Sequence, residues 1–131
     1  MPLAGQGNFQ RCYNEKNQIV AAYEEMHQKY FPDGFYNPGF DVFSDFFYDV
    51  DIVFDRALTC KNNIQAIMNV AEIKTKESME KLQNAFLELD TVLKNCVADF
   101  QMIYNIRKKD GFTPLENDSF GNYKIMACIQ R

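Results

Sequence analysis

Between Met79 and Ile103 the apolar positions are Met79, Leu82, Phe86, Leu89, Leu93, Cys96, Phe100 and Ile103, an unbroken alternation of three- and four-residue steps. That spacing follows one stripe of an α-helix and is incompatible with the two-residue period of a strand. Two earlier stretches repeat it. Phe9, Cys12, Ile19, Tyr23, Met26 and Tyr30 form one seam, with Lys16 as its single polar interruption; Phe43, Phe46, Val50, Val53, Ala57, Cys60, Ile64, Ile67 and Ala71 form another. The lysine is expected to lay its stem along the seam and carry its head to water.

Three such seams in a chain of 131 residues predict one all-α domain over 1–131. The expected architecture is an elongated antiparallel bundle of three long helices, over about 8–31, 41–72 and 76–110, with a short C-terminal segment over 119–131. Pro32-Asp-Gly-Phe-Tyr-Asn-Pro-Gly39 carries two proline–glycine turn signals and must reverse the chain. The stretch Ile73 to Ser78 has no glycine or proline, so this turn is weakly marked and one bent helix is the alternative. A hairpin is preferred, because two long seams are best buried against one another. Arg107-Lys-Lys-Asp-Gly111 places cations in a last helical turn and a glycine at a left-handed cap. For the final segment, helix and strand both fit.

The four cysteines, Cys12, Cys60, Cys96 and Cys128, are 48, 36 and 32 residues apart, too far for zinc-finger or Cys-x-x-Cys motifs. A cysteine lies in each seam, which predicts a bundle stapled from inside, with free buried thiols as the alternative. Register selects the pairing. Cys12 and Cys60 are each 24 residues from Tyr36, the centre of the first loop, and residue 112 is the midpoint of Cys96 and Cys128. Around the second turn Cys60 falls opposite Asp90, about 9 Å along the axis from Cys96. Disulfides Cys12–Cys60 and Cys96–Cys128 are therefore expected, in a mature chain of an extracellular or other oxidising compartment. Neither a basic leader nor an apolar leader core opens the chain, so a signal would have been removed already.

Charge and hydropathy exclude some partners. A net charge of −4 and a pI near 4.9 argue against nucleic acid and anionic membranes. No apolar run reaches the roughly 18 residues of a membrane span. A catalytic reading finds little: His27, the single histidine, lies beside the first seam with no neighbouring serine, cysteine or carboxylate arranged as a triad, and phosphate-loop, Gly-x-Ser-x-Gly and His-Glu-x-x-His motifs are absent. No enzyme and no cofactor is expected, and His27→Ala should change stability by no more than about 0.5 kcal/mol. Asp41, Asp45 and Asp49 share a helix face, with Asp51 and Asp55 beside it, but no glycine or carbonyl-bearing loop is interleaved to build an oxygen cage, so no metal is assigned.

One feature exceeds the needs of a core. Nine aromatics lie between Phe31 and Phe54, and Phe40, Phe47, Phe54 and Leu58 make a second apolar stripe on the middle helix. A helix apolar on two faces is central in its bundle or docks against something else. These four residues are the expected surface for a protein partner or self-assembly, or the wall of a cavity for an apolar ligand such as a fatty acid. Asn117-Asp-Ser119 is a glycosylation acceptor in an expected loop. The reading from sequence is a non-catalytic, secreted or surface-exposed interaction and assembly subunit. Its rivals are a carrier of an apolar ligand and an accessory subunit of a mitochondrial complex.

Overall fold

A computed structural model of the protein describes residues 4–36, 43–70, 75–111 and 123–130. Three α-helices carry the three seams: α1 over Ala4–Tyr30, α2 over Phe43–Val70 and α3 over Lys76–Lys109. Their 27, 28 and 34 residues make rods of about 40 to 50 Å at about 1.5 Å per residue. The C-terminal segment is a 3-10 helix of five residues, Lys124–Cys128. No strand occurs among the described residues.

The ends of the helices follow local chemistry. Thr75 caps α3: its backbone is extended, and its hydroxyl accepts from the Ser78 amide at 3.1 Å. That cap separates α2 from α3, so the alternative of one bent helix is set aside. At the far end Gly111 has φ of +85° and donates its amide to the Lys108 carbonyl, the left-handed stop expected from the sequence. Gly34, with φ of +81°, closes the turn after α1 in the same way.

Long-range pairs fix the topology as up, down, up. Glu15 meets Arg56 at 3.0 Å and Tyr30 donates to Asp49, so α1 and α2 run antiparallel. Lys61 pairs with Asp90 at 3.0 Å, and the Phe47 and Phe100 rings lie 4.6 Å apart, so α2 and α3 run antiparallel as well. The level at which Asp90 faces α2 is within one residue of the register drawn from the turn. α1 and α3 then run parallel, joined by Lys16–Glu88 and His27–Asp99.

The core is the three seams. Ile19, Tyr30, Phe46, Val50, Ala57, Ile64, Leu89, Cys96, Phe100 and Ile103 are buried almost completely. Ile125, Met126 and Ile129 also bury their side chains, and the Ile125 amide donates to the Asp51 carboxylate of α2 at 3.0 Å. Lys16 departs from expectation. It is only 4% exposed, with its ammonium 4.4 Å from the Tyr13 ring centre and 2.7 Å from Glu88, so its head reaches α3 rather than open water.

The internal staples are not present. All four cysteines are thiols, Cys12, Cys60 and Cys96 buried and Cys128 exposed. For the first pair the register holds, but the Cys60 sulfur faces the Cys12 carbonyl, 3.5 Å away, rather than its sulfur. The second pairing fails on geometry. The C-terminal segment is a short 3-10 helix; Cys128 lies on its exposed side while Cys96 points into the core. Hydrophobic packing and interhelical polar pairs therefore hold this structure together.

Candidate functional site

The second apolar stripe of α2 is inside the molecule. Phe47, 1% exposed, packs between Phe46 and Phe100; Phe54 is buried as well and Leu58 is partly buried against the core. Phe40 and Asn117 lie outside the described residues. Phe47 and Phe54 thus do not form an open surface for a partner. The reason is topological: α2 is the middle helix and packs against α1, α3 and the C-terminal 3-10 helix, so Phe46 meets Tyr30 of α1 while Phe47 meets Phe100 of α3.

The apolar surface is elsewhere. Among the described residues the exposed large hydrophobics are Phe35, Tyr48, Ile52, Leu87, Met102 and Ile106, with Phe35 at 81%. All but Leu87 belong to the end where α1 finishes, α2 begins and α3 finishes. Tyr48 and Ile52 are four residues apart on α2, and Met102 and Ile106 are four apart on α3, so each pair is a small helical ridge. The ridges differ in charge. Asp45, Asp49 and Asp55 stand three residues from Tyr48 or Ile52, whereas Lys109 stands three from Ile106, beside exposed Lys108 and Asp110. Asp49 is engaged internally, accepting from Tyr30 at 2.5 Å with Lys29 at 3.9 Å; burial and this carboxylate push the Tyr30 hydroxyl pKa upward. Asp45 is exposed and Asp55 partly so.

At the same end a polar cluster spans α1 and α3. Asp99 is 6% exposed, and its carboxylate accepts from the Tyr23 hydroxyl at 2.9 Å and meets His27 Nδ1 at 2.8 Å. Tyr23 and His27 are one helical turn apart, 3.3 Å between hydroxyl and Nδ1, and the His27 ring stacks on Phe31 at 4.8 Å. Burial first, then Asp99, drives the Tyr23 pKa upward. The sequence reading missed this arrangement, because Asp99 lies 72 residues from His27. A possible signal was Asp99 itself, a carboxylate one position before the seam residue Phe100. Chemically the carboxylate orients the imidazole, as in hydrolase triads. The partners recorded for that ring among the described residues are Tyr23, Asp99 and Phe31, none of which supplies an activated serine, threonine or cysteine nucleophile.

Between α1 and α2, away from the apolar end, a cavity of about 340 Å³ is lined by Arg11, Cys12, Glu15, Arg56, Thr59 and Cys60 among others. Burial raises the pKa of the Cys12 thiol and pushes that of Cys60 up to about 11. The Cys96 thiol, buried beside Asp99 and Asp51, is pushed up to about 12. Asp51 is itself raised by burial, against the lowering effect of the Ile125 amide. Among the described residues no group of three or more His, Cys, Asp or Glu is arranged to hold a metal ion. No helix among them is long and apolar enough to cross a membrane.

No family model, curated protein or solved structure matches this chain. A functional reading therefore rests on the surface and the geometry above.

Proposed function

We propose that this protein is a non-catalytic assembly subunit that associates with further copies of itself through the apolar end of its bundle. The supporting observation is the placement of two exposed apolar ridges, Tyr48–Ile52 among acids on α2 and Met102–Ile106 next to lysines on α3. Exposed apolar residues grouped in this way mark interaction surfaces more often than singly scattered ones do. Opposite flanking charge lets the α2 ridge of one copy fit the α3 ridge of another. The two ridges sit on different helices, so every copy offers both halves of the contact and association can repeat from copy to copy.

Sedimentation velocity over a range of concentration and salt tests the proposal, comparing the wild-type chain with the double variant Tyr48→Ser, Ile52→Ser. The wild type should sediment faster as concentration rises and slower as salt is added, since exposed charge pairs are screened. The variant should remain a monomer, with its melting temperature close to the wild-type value because both side chains face solvent. A wild-type chain monomeric throughout would reject self-assembly. If protein from its source then carried a foreign subunit in native mass spectrometry, the same ridges would belong to a different partner.

A further inference from the structure

We infer that Cys12 and Cys60 form a redox-switchable pair, thiols in the state described above and a covalent link between α1 and α2 after exchange with a small disulfide. Antiparallel packing brings the two residues to one level of the bundle, with the Cys60 sulfur 3.5 Å from the Cys12 carbonyl oxygen. A residue's carbonyl oxygen and Cα are about 2.4 Å apart by ordinary bond lengths, so that sulfur lies within about 6 Å of the Cys12 Cα. Bonding distance then requires the Cys12 side chain to turn toward Cys60 and α1 and α2 to close the remaining gap.

Access distinguishes this pair from the other two cysteines. Cys12 and Cys60 are only 7% and 2% exposed, yet both line the cavity of about 340 Å³ between α1 and α2. The charged groups around them oppose one another: Arg11 favours the Cys12 thiolate, Arg56 and Lys16 favour that of Cys60, and Glu15 disfavours both. Net desolvation keeps both as thiols at neutral pH, which makes exchange slow without blocking it. Cys96 is sealed in the core, and Cys128 is exposed on the 3-10 helix with no sulfur facing it among the described residues.

The exchange balances with glutathione disulfide as the oxidant. The thiolate of Cys12, the more accessible of the two, attacks one glutathione sulfur and expels a glutathione thiolate, leaving a mixed disulfide. Cys60, deprotonated in turn, attacks the Cys12 sulfur of that bond and expels the second glutathione. The protein loses two protons and two electrons, and one glutathione disulfide is reduced to two thiols.

Incubation of the folded, full chain with glutathione disulfide, followed by intact mass and a non-reduced peptide map, tests the inference. The expected product is two hydrogens lighter than the starting chain and yields one linked peptide, Cys12 with Cys60. Its melting temperature should rise by several degrees, because the link restricts the unfolded chain, and dithiothreitol should reverse both changes. Cys128→Ser should retain the link, and Cys12→Ser should lose it. The wild-type map carries the result even where a serine variant fails to fold. The inference is overturned by a stable glutathione adduct without the internal link, by a linked peptide containing Cys96 or Cys128 instead, or by a folded chain that does not react under conditions where the unfolded chain does.

Discussion

A carboxylate sealed between two helices is tolerated only when donors replace the water it has lost. Asp99 has two such donors, Tyr23 and His27, both from α1. This changes what His27 is for. Read from its neighbours in sequence it is a dispensable, partly exposed residue; in the fold it satisfies a buried acid 72 positions away. His27→Ala leaves Asp99 with the Tyr23 hydroxyl alone, and the expected loss is about 1–3 kcal/mol, toward the lower end because the ring is 39% exposed and water can follow it in. Urea unfolding of the variant at neutral pH measures this, and a change within about 0.5 kcal/mol would return His27 to the surface role. Lys16 follows the same logic on the opposite half of α1. The three-four spacing identified it as the polar interruption of a seam, but spacing alone did not identify Glu88, which meets its ammonium from α3.

At the scale of the helix, α2 explains most of the architecture. Its two apolar stripes were legible because helical periodicity is local information, and so were all three helices, the Gly111 stop and the level of Asp90 opposite α2. What covers the second stripe was not legible. Whether Phe47 meets α3, a foreign protein or a ligand is decided by packing between distant segments, and the answer is Phe100. The Cys96–Cys128 pairing failed for a related reason: counting outward from residue 112 does not say which way a side chain faces, and Cys128 lies on the exposed side of a short 3-10 helix while Cys96 is buried. Phe47→Ala should therefore behave as a core truncation, costing about 3–5 kcal/mol in thermal or chemical unfolding. A variant that melts like the wild type would mean that the ring is not held as described. Tyr48, the next residue in sequence, faces solvent, so the contrast between the two neighbours separates folding from association within one turn of α2.

For the molecule as a whole, the described residues bury one continuous core and place every exposed large apolar side chain but Leu87 at one end, with acids around the α2 ridge and lysines beside the α3 ridge. The central claim is that these two ridges recognise each other between copies. Charge reversal tests it most directly, with the self-association constant read by sedimentation equilibrium at low salt. Asp45→Lys with Asp55→Lys, and separately Lys108→Glu with Lys109→Glu, should each weaken association by about tenfold, equivalent to about 1.4 kcal/mol. Combining all four reversals in one chain restores complementarity with the signs exchanged, and should bring the constant back to within about threefold of the wild type. Losses that simply add in the combined variant would contradict the account.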